Sequence, residues 1–190
     1  MLDSLKDIFR KKKLKKHHSD VPTGFIPMSD VSIVNVLVDV EEPGFDTLRQ
    51  EILAWGRNIN AKLNIYFFDF RKLGKDELLL TSIQTTILKK ELDWIDTPDL
   101  KKVAPLIEEQ SDLFISMIDS TEYPVVFLCN CTKARFKIGR RAYDGHAFDM
   151  VVTGNETAEL RSDSLKIFTP TSPSMYIFPR LLLTTALSAM

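Results

Sequence analysis

Cysteine and histidine are scarce in this chain of 190 residues, and the few present form no recognisable site. Cys129 and Cys131 lie two residues apart, so on a helix their side chains point in different directions and do not form a natural disulfide. The three histidines, His17, His18 and His146, lack the spacing of metal ligands. The cysteine pattern is typical of a reducing compartment. We therefore expect neither a disulfide nor a bound metal.

Long apolar runs are also missing, and with them the usual signals for membrane insertion or export. No run is long enough to cross a bilayer. The basic N-terminus is not followed by the uninterrupted apolar block of a signal peptide. Together with the cysteine pattern, these absences predict a cytoplasmic protein.

Glycine-rich catalytic and phosphate-binding motifs are absent as well. The first predicted strand is followed by Glu41-Glu42-Pro43-Gly44, where a phosphate-binding turn would have several glycines and no acid to repel the phosphate. No Gly-x-Ser-x-Gly elbow occurs, so a nucleophile triad of that type is unsupported. The sequence argues against a dinucleotide or P-loop enzyme, and we predict no cofactor.

The pattern that is present is that of a parallel α/β sheet. Residues 31–40 are almost all aliphatic, which is typical of a central strand covered on both faces. Apolar residues then repeat at helical spacing over 45–59, and residues 62–70 are β-branched and aromatic. The order repeats over 113–139, around a helix that is apolar on most sides. The predicted fold class is α/β, a three-layer Rossmann-like sandwich with a mostly parallel sheet.

Six further helices and strands are predicted from their local sequence patterns. These are a helix at 2–16, a strand within 71–96, a helix after 97–99, strands at 148–152 and 165–168, and a terminal helix at 179–189.

Charge divides the chain into two predicted parts. Residues 1–29 are predicted to be a basic N-terminal arm and linker, and residues 30–190 a single α/β domain. The net charge of −1 hides seven lysines and arginines against two aspartates in residues 1–18. This asymmetry indicates contact with an anionic partner, membrane lipid or RNA, with a solvated tail as the alternative. The lysines assigned to this contact are Lys11, Lys12, Lys13, Lys15 and Lys16.

Polar residues at two predicted strand ends suggest a ligand crevice. Asp39 ends the first strand, and Asp119 and Ser120 end the strand that begins near residue 113. If these strands are neighbours, both carboxylates face one crevice and could bind a metal or share a proton. The alternative is that they only form the turns that follow each strand.

A basic cluster follows the next strand, in which Arg135 and Lys137 alternate with apolar residues. Lys137 and Arg140 could hold an anionic ligand at the same crevice. The alternative is a charged edge strand that resists pairing with another sheet.

Four ordered blocks resemble a family of small uncharacterised proteins of Bacteroidetes-type bacteria, catalogued as a domain of unknown function. The blocks are Glu91-Leu92-Asp93-Trp94, Ser111-Asp112-Leu113-Phe114-Ile115, Lys133-Ala134-Arg135-Phe136-Lys137-Ile138-Gly139 and Phe148-Asp149-Met150-Val151-Val152. This resemblance implies a bacterial cytoplasmic protein and no established activity.

Residues 112–119 and 133–139 also resemble the N-terminal half of heptosyltransferase-type glycosyltransferases. The glycine-rich start and the nucleotide-sugar domain of those enzymes are not present here, so this resemblance implies the Rossmann-like architecture alone. The sequence therefore favours a non-enzymatic binding module. The alternative is a small ligand-sensing or transferase-like enzyme with its ligand at the carboxyl ends of the strands.

Overall fold

The computed structural model describes residues 2–72 and 79–152, which contain a six-stranded sheet. The strands are β1 Ile33–Asp39, β2 Lys62–Asp69, β3 Thr86–Leu88, β4 Ser111–Ser116, β5 Ala134–Gly139 and β6 Met150–Val151. Their order is β3-β2-β1-β4-β5-β6, and every pairing is parallel. The predicted α/β class is confirmed, and β3 is the strand expected within 71–96. The elements predicted at 165–168 and 179–189 lie outside the described residues.

Strand β1 occupies the centre of the sheet because both of its faces are apolar. Val36 and Val38 belong to the core on one face and Leu37 to the core on the other, and all three are buried. The strand pairs with β2 on one side and with β4 on the other, where Val36 lies opposite Ile115. A strand that is covered on both faces has no face exposed to water. This explains why residues 31–40 are almost all aliphatic.

Helices cover both faces of this sheet and give the fold three layers. Helix α2, Phe45–Asn58, packs on one face through side chains that include Ile52 and Trp55. The opposite face carries α3, Leu100–Ile107, and α4, Tyr123–Cys131.

Helix α4 is apolar on nearly every side and is buried between two layers. Seven of its nine residues are buried. The sheet lies beneath it, and helix α1, Leu2–His17, packs against it. Leu14 joins the core on this face, and the ring of His17 lies 6.1 Å from the ring of Phe127. The basic N-terminal segment therefore contacts the domain, while the predicted boundary at residue 29 stays a prediction.

Strand β5 is internal, so the alternative of a charged edge strand is wrong. The described sheet continues to β6, which pairs with the last two residues of β5. The backbone N–H of Asp149 donates to the carbonyl of Lys137 at 2.9 Å, and that of Gly24 donates to the carbonyl of Arg135 at 2.9 Å. These contacts cover the outer side of β5 along most of its length.

Gly139 is a position at which any side chain would disturb the packing beside β6. A Cβ atom there would lie 2.3 Å from Cε2 of Phe148, whereas one at Gly24 would meet nothing within 4 Å. We expect Gly139→Ala to lower the free energy of unfolding by roughly 1–3 kcal/mol because the ring must move. Gly24→Ala should leave it unchanged or raise it by up to about 1 kcal/mol. Urea denaturation measures both variants, and equal stabilities would contradict the packing described.

Candidate functional site

The carboxyl ends of β1 and β4 lie side by side at the point where the strand order reverses. Open α/β sheets commonly bind ligands in the crevice at such a point. The predicted site residues Asp39, Asp119, Ser120 and Arg140 end or follow β1, β4 and β5. The structure therefore brings these four residues to one edge of the sheet.

Each of the two predicted aspartates already has a local partner. Asp39 Oδ1 accepts a hydrogen bond from the backbone N–H of Glu41 at 2.8 Å, and burial raises the pKa of the Asp39 carboxyl. Asp119 is exposed and forms an ion pair with Arg141. Within residues 2–72 and 79–152, no group of three or more histidines, cysteines or acids could hold a metal ion. A ligand role for the two aspartates stays a prediction.

Arg140 crosses the crevice between β1 and β4. Its Nη1 donates to the carbonyl of Met117 at 3.1 Å and lies 3.5 Å from Oε1 of Glu42. Ser120 Oγ accepts the backbone N–H of Glu122 at 3.1 Å, beside the start of α4. A ligand that used Arg140 in this crevice would have to displace the contacts that join the two strand ends.

Lys137, the fifth predicted residue, is separate from the other four. It lies in the middle of β5, is 4 % exposed, and places its Nζ 5.9 Å from the centre of the Phe114 ring. Burial lowers the pKa of Lys137 to about 8. Two buried thiols of α4, Cys129 and Cys131, interact electrostatically with this amine, and burial raises the pKa of each thiol to about 12. Lys137 therefore lies in the core beneath α4 and not in the crevice.

Lys137 should make stability depend on pH. In the unfolded chain the Lys137 amine keeps its proton up to about pH 10.5, whereas in the folded chain it releases the proton near pH 8. The cost of burying the charge is therefore fully present below pH 8 and is relieved as the pH rises from 8 to 10.5. We expect Lys137→Met to raise the free energy of unfolding by on the order of 2–3 kcal/mol at about pH 7, and the difference should shrink towards about pH 10.

Urea denaturation of the wild type and the variant at several pH values measures this difference. The effect of the raised thiol pKa values is present in both proteins and largely cancels. Lys101→Met on the exposed side of α3 is the matched control and should show no pH-dependent difference. The contrary result is a free energy of unfolding of Lys137→Met that differs from that of the wild type by the same amount at neutral and alkaline pH. That result would contradict a buried amine with a lowered pKa.

A cleft of about 450 Å³ lies at the carboxyl edge of the sheet, and none of the five predicted residues lines it. Its walls come from residues that follow β2, β3 and β4 and from α1. The apolar walls are Phe70, Leu92, Tyr123 and Pro124. The polar lining consists of Arg10, Lys89, Asp96, Thr121 and Glu122.

A second cleft of about 380 Å³ shares two of these walls, Phe70 and Lys89. It is further lined by Asp69, Arg71, Lys72, Leu88 and Lys90. Arg71 holds Asp69 by two hydrogen bonds of 2.8 and 2.7 Å, and this contact lowers the pKa of the Asp69 carboxyl. Among the described residues that line the second cleft, the remaining charged groups are lysines.

Both clefts were missed from the sequence because the predicted site used only residues at or near the carboxyl ends of β1, β4 and β5. Phe70 and Lys89 directly follow β2 and β3, so the rule that ligands gather at the carboxyl ends of strands would have found them if applied to every strand. Arg10 carries no such signal, since its place in the cleft depends on how α1 packs.

Helix α1 packs on the domain through a face that is mainly cationic. Lys6 and Arg10 both form ion pairs with Asp96, and Lys13 lies 2.7 Å from Asp93. The guanidinium of Arg10 also lies 4.8 Å from the centre of the Tyr123 ring and donates from Nε to a backbone carbonyl at 2.9 Å. Of the five lysines assigned to an anionic partner, Lys13 thus pairs with the domain and the other four are exposed, while their contact with a partner stays a prediction.

The opposite face of α1 carries exposed apolar side chains followed by exposed lysines. Leu5, Ile8 and Phe9 are exposed, Ile8 by 62 %. Trp94 is 58 % exposed and contacts Phe9 edge to face, with 5.3 Å between ring centres. One helical turn further on, the same face carries exposed Lys12, Lys15 and Lys16. We call this surface, with Trp94 included, the outward face of α1.

None of the helices described, from residue 2 to 72 or from 79 to 152, has both the length and the hydropathy of a membrane span.

Of the three comparisons with known proteins, the comparison with family models gives a match and the other two do not. Searches of curated proteins and of solved structures give no match. The bacterial origin and the transferase likeness expected from the sequence find no support. The model of a family of unknown function, DUF6913, matches residues 6–167, from the first turns of α1 to beyond β6. The chain therefore belongs to this family of unknown function.

Proposed function

We propose that this protein is a non-enzymatic binding module that attaches reversibly to an anionic lipid surface through the outward face of α1. The observation that supports this most strongly is the orientation of α1. Three of its cations, Lys6, Arg10 and Lys13, contact the domain. Three of its apolar side chains, Leu5, Ile8 and Phe9, are exposed. An ordinary surface helix does the reverse, because burying apolar area is what stabilises its packing.

The composition of the outward face fits a lipid interface. Side chains such as Ile8, Phe9 and Trp94 can enter the boundary between head groups and acyl chains, where tryptophan is favoured. Burying one such side chain contributes roughly 1.5–3 kcal/mol. Each lysine near an anionic surface adds about 1 kcal/mol. A few such contacts are sufficient for reversible attachment to a lipid surface.

The same face fits RNA less well. Sequence-tolerant RNA binding combines cations along the backbone with aromatic rings on which successive bases stack. Here the exposed apolar residues Leu5 and Ile8 are aliphatic, and the aromatic pair of Phe9 and Trp94 is already in mutual contact. We therefore assign the anionic partner as lipid.

We place this attachment on the cytoplasmic side of the membrane. The free cysteines Cys129 and Cys131 are both buried and unpaired, which is compatible with a reducing compartment. The anionic lipids of a cytoplasmic leaflet would attract the lysines of the outward face.

Vesicle flotation tests the proposal with the full chain. Leu5→Gln combined with Ile8→Gln should weaken binding to vesicles of phosphatidylcholine and phosphatidylglycerol by roughly tenfold or more, because two inserted side chains are lost. Lys12→Gln combined with Lys16→Gln should also weaken binding, and more so at low salt. Vesicles of phosphatidylcholine alone should bind the wild type weakly.

The matched control is Lys62→Gln combined with Lys101→Gln, which makes the same charge change at exposed positions outside α1. This variant should bind as the wild type does. Point variants are preferable to removal of α1, since α1 also covers α4. Equal vesicle binding by all variants, or RNA binding that needs Lys12 and Lys16 but not Leu5 and Ile8, would contradict the lipid assignment.

Trp94 offers a second and independent readout. Trp55 is buried and Trp94 is exposed, so a change in emission on adding vesicles should come from Trp94. We expect a blue shift with anionic vesicles in the wild type and none in Trp94→Phe. A shift of the same size in Trp94→Phe would show that the outward face is not the part of the molecule that enters the bilayer.

A further inference from the structure

We propose that the two adjoining clefts at the carboxyl edge of the sheet form one bipartite site for a nucleotide, with the base in the larger cleft and the phosphates in the smaller. The larger cleft, about 450 Å³, and the smaller, about 380 Å³, meet at Phe70 and Lys89. Each volume is within the range of small-molecule sites. This inference does not depend on the membrane proposal, since none of the outward-face residues lines either cleft.

The larger cleft has the walls that a planar ring requires. Phe70, Leu92 and Pro124 supply apolar surface. An aromatic ring such as that of Phe70 can stack on any of the bases. Phe70 is itself held by an edge-to-face contact with Phe68, with 5.1 Å between ring centres. Its orientation is therefore set by the buried end of β2.

The polar rim of the larger cleft suits the hydrogen-bonding edge of a base. The exposed carboxylate of Glu122 can accept an amino or imino N–H, and the hydroxyl of Thr121 can donate or accept. Asp96 contributes little free negative charge because Lys6 and Arg10 pair with it.

The smaller cleft has the charge that phosphates require. Its lining includes the exposed lysines Lys72, Lys89 and Lys90. The carboxylate of Asp69 is buried and held in a two-bond contact by Arg71, so it does not cancel the lysines. Lysines bind phosphate as point charges and do not need a glycine-rich turn. Lys89 lines both clefts, where the phosphate nearest the sugar would lie.

Calorimetric titration of the full chain in solution tests the site, with ADP, GDP, CDP and UDP as probes. At least one should bind saturably, and its binding should weaken as salt is added. Lys89→Gln combined with Lys90→Gln should weaken the binding roughly tenfold or more, through lost charge-assisted contacts. Phe70→Leu keeps an apolar side chain and removes the stacking surface. It should weaken nucleotide binding roughly tenfold and leave the weak binding of pyrophosphate unchanged.

The control is again Lys62→Gln combined with Lys101→Gln, which should bind the nucleotide as the wild type does. Thermal unfolding checks that each variant is folded, and ligand-induced stabilisation gives a second measure of binding. The proposal is overturned if none of the four nucleotides binds at millimolar concentration. It is also overturned if Phe70→Leu binds nucleotide normally, or if the cleft-lysine variant binds as tightly as its control. No membrane is present, so these results are separate from the vesicle experiments.

Discussion

The packing of α4 constrains much of the rest of the structure. This helix is apolar on nearly every side, so the sheet alone cannot bury it. Helix α1 supplies the second cover, through Leu14 and the ring of His17 against Phe127. The apolar contact is narrow, and the ion pairs to Asp93 and Asp96 fix how α1 is turned about its axis. Such pairs contribute little stability when exposed, but they select one orientation.

That orientation has two consequences for function. It leaves an apolar and basic face on the outside of the molecule, which is the basis of the proposed lipid attachment. It also places Arg10 at the rim of the larger cleft, beside residues that follow three strands. The two proposed sites thus share one helix, although different faces of that helix contribute to them.

The amino-acid sequence was sufficient to predict the sheet but not to predict where the two proposed sites lie. The runs around Leu37 and Ile115 have no polar face, which predicts buried strands. The structure buries both strands and pairs them side by side. Helical periodicity separates Ile8 from Arg10 but does not tell which face the domain covers, since Asp96 is far away in the chain. Alternation predicts a basic face for β5, yet Lys137 is buried because α4 lies over it. For α1 and for Lys137, contacts between segments that are distant in the chain determine which side chains are exposed.

The orientation of α1 is the central claim, and maleimide labelling measures it most directly. The native cysteines are buried and should react slowly. A cysteine introduced as Ile8→Cys should react rapidly with a charged, membrane-impermeant maleimide in the free protein and slowly once anionic vesicles are added. Leu14→Cys should react slowly in both conditions. Rapid labelling of Leu14→Cys together with slow labelling of Ile8→Cys in the free protein would contradict the account.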